Sequence, residues 1–89
     1  MTISRRIQLV NRQGLHARPI QRIVEICRRH HSTIRISRGV DEVSGRSIME
    51  MLTLAAPRGT ELMLVAEGDD EESLIAELVA LIEGKFGED

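Results

Sequence analysis

Aromatic residues are all but missing from this 89-residue chain: Phe86 stands alone, without tryptophan or tyrosine. The core must therefore be assembled from Ile, Leu, Val, Met and Ala. A surface that stacks nucleic-acid bases has nothing to build with. Lysine is nearly missing too, Lys85 being the single one, so the chain is not expected to bind nucleic acid. One cysteine, Cys27, excludes an internal disulfide and fits a reduced, cytoplasmic setting. No run approaches the roughly 18 apolar residues of a membrane span, and the opening residues lack the charged-then-apolar order of a secretion signal. There is no glycine-rich nucleotide loop, no nucleophile triad and no set of ligands at metal spacing. No metal or cofactor is expected, and no repeat or low-complexity segment is visible.

What remains is one small domain, residues 1–89, with an apolar content of 42%, enough for one modest core. Charge is balanced in total but not along the chain. Residues 1–49 hold ten arginines against Glu25, Asp41 and Glu42, a surplus of seven positive charges. From residue 50 onward Arg58 and Lys85 face eleven acids, a deficit of nine. A basic region around the first helix points to an acidic partner surface or an anionic group.

The hydrophobic period changes several times. Residues 2–10 alternate, with Ile3, Ile7 and Leu9 on one face of a half-buried strand. Asn11 to Gly14 form a turn. From Ala17 the period becomes helical: Ile20, Ile23, Val24 and Cys27 make an apolar stripe. Pro19 fits only near the helix start, where backbone N–H groups lack partners in any case, so His16 lies close to the N-cap. Thr33–Ser37 and Val40–Val43 read as two strands joined by a turn at Gly39. Ser47-Ile48-Met49-Glu50 matches a capping box opening a short helix that runs to about Ala55, ended by Pro57-Arg58-Gly59. Leu62–Ala66 is apolar enough for a central strand. Asp69 or Asp70 caps the last helix, whose stripe is Leu74, Ile75, Leu78, Leu81 and Ile82. Gly84 stops it, leaving a mostly polar tail, Lys85–Asp89. The order β-α-β-β-α-β-α predicts an α+β sandwich with a mainly antiparallel sheet and helices on one face.

Chemistry concentrates in Gly14-Leu15-His16-Ala17-Arg18-Pro19. A neutral imidazole is a good nitrogen nucleophile, and its unperturbed pKa of about 6.5 keeps it mostly neutral at pH 7. A helix N-terminus favours a bound phosphoryl group, and Arg18 adds a cation that pairs with phosphate oxygens. On spacing alone, a histidine that merely caps a helix is the commoner case. Ser47 is a second candidate: as a plain cap, or as a modification site whose phosphate would add strong negative charge. Beside it Ile48, Met49, Met51 and Leu52 are too many apolar residues for one buried face of a short helix, so some fill the core and others form an exposed patch suited to docking. His30 and His31 suit a helix C-terminus, and Cys27 lies on the buried stripe.

The Gly14–Pro19 stretch resembles the phosphorylation-site motif of HPr, the histidine phosphocarrier of the bacterial phosphotransferase system. Gly45-Arg46-Ser47-Ile48-Met49, Gly59-Thr60 and Ala66-Glu67-Gly68 extend the likeness over essentially the whole chain. Ser47-Ile48-Met49 and the ending Phe86-Gly87-Glu88-Asp89 look more like the nitrogen-related NPr branch. The resemblance implies an open-faced β-sandwich, four antiparallel strands with three helices on one face. It implies that His16 is phosphorylated on Nδ1 and that Arg18 contacts the phosphoryl group. It implies that Ser47 matches a serine modified in some members by an HPr kinase/phosphorylase. Ala17, Gln21, Ile48, Met49, Met51 and Leu52 match the surface that docks Enzyme I and EIIA-type acceptors. Ile20 and Gln21 depart from the small residues common after the proline, which bears on partner choice. The expected protein is a monomeric, cytoplasmic phosphoryl relay rather than an enzyme with its own pocket. A regulatory docking module switched at Ser47, carrying no phosphate onward, is the rival reading.

Overall fold

A computed structural model describes residues 2–88. The elements are β1 (Thr2–Gln8), α1 (Ala17–Arg29), β2 (Thr33–Arg38), β3 (Asp41–Ser44), α2 (Ile48–Thr53), β4 (Glu61–Glu67), α3 (Glu71–Glu83) and a 3₁₀ turn, Lys85–Gly87. The four strands form one antiparallel sheet in the order β1-β4-β2-β3. β4, the most apolar strand, is internal, as its composition demands.

Alternation builds the core. Ile7 pairs with Leu62, Ile36 with Leu64 and Ile34 with Ala66. All six are buried, while their strand neighbours point outward. Only one sheet face is apolar, and α1, α2 and α3 cover it, packing on one another and on the sheet. Their contributions include Ile20, Ile23, Met51, Leu74 and Leu78, all fully buried. The structure is thus the expected open-faced α+β sandwich.

The structure corrects several local expectations. Val40 is not in a strand: it occupies the β2–β3 turn beside Gly39 and is wholly exposed. α2 ends at Thr53, not near Ala55. Ser47 caps α2 by accepting from the Glu50 amide, but the Glu50 carboxylate takes the Ser44 amide, so the reciprocal half of the capping box is redirected one turn upstream. Asp70 occupies the α3 cap position without bonding the helix. Its carboxylate accepts instead from the His31 and Ser32 amides and the Ser32 hydroxyl, three donors in the α1–β2 loop. Glu71, the first residue of α3, reaches back to the Gly68 amide in the loop before the helix.

The polar tail is the largest revision. Gly84 ends α3 without a left-handed backbone; Lys85 and Phe86 take it instead, at φ of 58° and 57°. The one aromatic side chain explains this turn: Phe86 is 1% exposed, buried in the core. A large apolar group that must fold back outweighs the modest cost of left-handed residues. Arg22 fastens the turn by donating to the Phe86 carbonyl at 3.0 Å. Asp89, part of the expected tail, lies outside the described residues, as does Met1.

Candidate functional site

The connection from β1 to α1 is held rigidly. Leu9 exchanges backbone hydrogen bonds with Gly59 and Thr60, and Leu15 with Ala56. Gly14 has φ of +67°, and a Cβ there would collide with the backbone of Ala56 and Pro57. Only glycine lets the two loops touch at this point. Asn11, fully buried, donates to the Gly14 carbonyl at 2.7 Å. The chain therefore enters α1 along a fixed path, with Leu15 buried beneath it.

His16 is the N-cap of α1, in extended conformation, and its carbonyl accepts from the Ile20 amide. Its side chain makes no cap hydrogen bond. The amides of Ala17 and Arg18 head the helix without intrahelical acceptors, and Pro19 has no N–H to leave unsatisfied. The imidazole is free to serve another purpose. Its side chain is 34% exposed, and Nε2 lies 3.3 Å from Glu88 Oε1. Nδ1 has no partner among the described residues. Arg18, the second residue of α1 and so in its positive first turn, is exposed and makes no hydrogen bond or ion pair among the described residues. The site thus offers a nucleophilic nitrogen, an uncommitted guanidinium and the N-terminal amides of a 13-residue helix, an arrangement suited to a transient phosphoryl group.

Residues 3–84 match the family model described as "PTS HPr component phosphorylation site". The chain belongs to the HPr family. Phosphocarrier protein HPr of Treponema pallidum is 39% identical over 83 residues, covering 93% of this chain and 94% of the relative. Phosphocarrier protein NPr of Proteus mirabilis is 36% identical over 91 residues, covering both chains fully. HPr-C-His from Thermoanaerobacter tengcongensis superposes with a TM-score of 0.93 at 40% identity, covering 98% of each chain. The HPr fold and membership of a bacterial phosphocarrier family are thereby settled.

The docking candidates divide. Ala17 and Gln21 are exposed on α1. On α2, Met49 is 81% exposed and Leu52 48%, while Ile48 is half-buried against the core. Met51 is fully buried; it is a core residue, not a docking residue, because a six-residue helix has one inward row and Met51 occupies it. Ile20 is likewise buried, so of the two departures after Pro19 only Gln21 faces outward. Ser47 is partly exposed at the start of α2, and α2 packs against α1.

The remaining candidates are structural. Burial pushes the Cys27 thiol up to about 12, against the pull of the Arg46 charge, so the thiolate is not populated at pH 7. Arg46 donates to the Cys27 and His30 carbonyls, closing the C-terminus of α1. His30 is buried: Nδ1 meets the Ile26 carbonyl at 2.8 Å, and Nε2 meets Ser73 and Glu77. Folding also gathers exposed His31 and Asp69 with Asp70, which spacing along the chain does not reveal; both Asp70 oxygens are already engaged by the α1–β2 loop. Among the described residues, no helix is long and apolar enough to cross a membrane. The residues that sequence reasoning missed at the site are Asn11 and Glu88. Glu88 lies 72 positions from His16, and no local spacing could link them.

Proposed function

We propose that His16 carries a phosphoryl group between two protein partners. Enzyme I, itself charged from phosphoenolpyruvate, delivers the group to Nδ1 of His16; a histidine on an EIIA-type protein then removes it. The observation that supports this reading most is an N-cap histidine whose side chain makes no cap bond, with Nδ1 and Arg18 both without a partner among the described residues. The lone pair of Nδ1 attacks phosphorus as the donor's P–N bond breaks, and that bond's electron pair returns to the donor histidine. Arg18 pairs with the phosphoryl oxygens, and the helix N-terminus stabilises their charge. The protein acts as a stoichiometric relay rather than an enzyme, working as a cytoplasmic monomer. It uses no cofactor, any magnesium belonging to the charging of Enzyme I.

Ala17, Gln21, Met49 and Leu52, with the exposed edge of Ile48, form the surface these partners grip. Met49 exposes most of its side chain beside Ser47, which favours a regulatory role there. A kinase acting on Ser47 would set a dianion at the edge of the docking patch and weaken partner binding. Similarity to an NPr over the full length of both chains supports assignment to the nitrogen-related branch.

Incubation with Enzyme I and phosphoenolpyruvate tests the relay. The protein should gain acid-labile phosphate, and His16→Ala should gain none. Failure of the wild-type chain, or retention of labelling in the variant, would refute it. For the regulatory role, a pull-down of Enzyme I with Ser47→Asp should recover less than one with Ser47→Ala; equal recovery would discount the switch.

A further inference from the structure

The C-terminal turn brings a carboxylate to the imidazole that spacing could not foretell. Phe86 is buried, Arg22 holds its carbonyl at 3.0 Å, and the turn that follows presents Glu88 to His16. One oxygen, Glu88 Oε1, receives Asn11 Nδ2 at 3.1 Å and meets His16 Nε2 at 3.3 Å. Asn11 donates at the same time to the Gly14 carbonyl, two residues before the histidine. Asn11 is 0% exposed, and its Oδ1 has no partner among the described residues. Its amide is thus committed to holding Glu88 and the entry to α1 in one geometry.

We infer that Glu88 is a positioning residue that selects the His16 tautomer and turns Nδ1 outward. This inference rests on the phosphocarrier reading for its consequence, though not for its geometry. A carboxylate only accepts hydrogen bonds at neutral pH. Opposite it, Nε2 must carry the proton, which leaves the lone pair on Nδ1. A neutral imidazole has one proton to place, and the hydrogen bond of one ring nitrogen decides the state of the other. When Nδ1 forms its bond to phosphorus, the ring gains positive charge, and Glu88 stands beside the nitrogen that shares it. The proton stays on Nε2 throughout. Departure of the group to the next histidine returns the lone pair to Nδ1 and restores the starting tautomer. The carboxylate exchanges no proton and touches no phosphorus.

Nitrogen-15 NMR of the unphosphorylated, full-length protein with labelled histidine reads the tautomer directly. In wild type the His16 signals should show the Nε2–H form almost alone. Glu88→Ala should move them toward a mixture of tautomers, and Glu88→Gln, which keeps an acceptor oxygen but no charge, should lie between. All three should melt within a few degrees of one another, because Phe86 and Arg22 still hold the turn. The rate of phosphate gain from Enzyme I should fall about fivefold to tenfold in Glu88→Ala, the loss expected for one hydrogen bond, and less in Glu88→Gln. Identical tautomer populations in wild type and Glu88→Ala would overturn the inference. So would a shifted population with an unchanged rate. If wild type accepts no phosphate at all, the relay has failed, and the NMR comparison still decides whether Glu88 sets the tautomer.

Discussion

Arg18 is the residue whose chemistry depends least on its surroundings. It is exposed and pairs with nothing among the described residues, so replacing it breaks no hydrogen bond or ion pair among them. Arg18→Ala should slow phosphate gain by about ten- to a hundredfold, the worth of a charge-assisted hydrogen bond to the transferring group, and leave the melting temperature unchanged. Stopped-flow transfer kinetics with a parallel thermal melt check this; unchanged kinetics would remove Arg18 from the mechanism. Asp70 shows the opposite kind of residue, one spent wholly on structure. The Ser32 hydroxyl and the His31 amide hold its carboxyl well below the usual carboxylate range. A carboxyl depressed by folding contributes stability that is complete above its unfolded value, about 3.9, and is lost as pH falls through the folded value. Asp70→Asn should therefore melt below wild type at neutral pH, with the gap closing as pH falls from about 4 toward 2. A gap that stayed constant over that range in thermal melts would show that the Asp70 charge contributes nothing.

At the scale of elements, α2 separates packing from recognition within two residues. Met51 is buried and Met49 almost fully exposed. Met51→Ala should cost about 2–5 kcal/mol of folding stability, measured by denaturant titration. Met49→Ala should change stability by less than about 0.5 kcal/mol while weakening Enzyme I binding in a calorimetric titration. Equal stability losses, or unimpaired binding by Met49→Ala, would contradict this division. The helix also shows where sequence reading stops. Alternation located β1 and β2, a continuous apolar run located β4, and the change of period placed the start of α1 at Ala17, because each signal repeats along its element. Six residues of α2 hold too few repeats to tell an inward methionine from an outward one. Caps failed for a different reason: Ser47, Glu50 and Asp70 were recognisable as cap residues, but which amide each carboxylate chose depended on loops brought near by folding. The clasp of Glu88 on His16 belongs to the same class, a contact made only once α3 lies against the sheet.

Across the whole molecule, the lopsided charge of the sequence is partly paired away. Arg6 meets Glu61 and Arg29 meets Glu77, each joining the basic half of the chain to the acidic half. Other arginines are used as donors to backbone carbonyls: Arg22 to Phe86, Arg38 to Ala55, and Arg46 to the end of α1. Arg18, at the head of α1, is exposed and has no ion pair among the described residues, and the proposed function gives it the phosphoryl group as partner. The sheet and helices thus hold the β1–α1 entry in place, with a part-exposed histidine at the head of α1 and exposed Met49 and Leu52 on α2, the helix packed against it. The decisive measurement is the position of the phosphoryl group after incubation with Enzyme I and phosphoenolpyruvate, read by phosphorus-31 and nitrogen-15 NMR. One acid-labile group on Nδ1 of His16, absent from His16→Ala, is the expected result. Phosphate on Nε2 or on any other residue, or none on the wild-type chain, would contradict the assignment of His16 Nδ1 as the carrier.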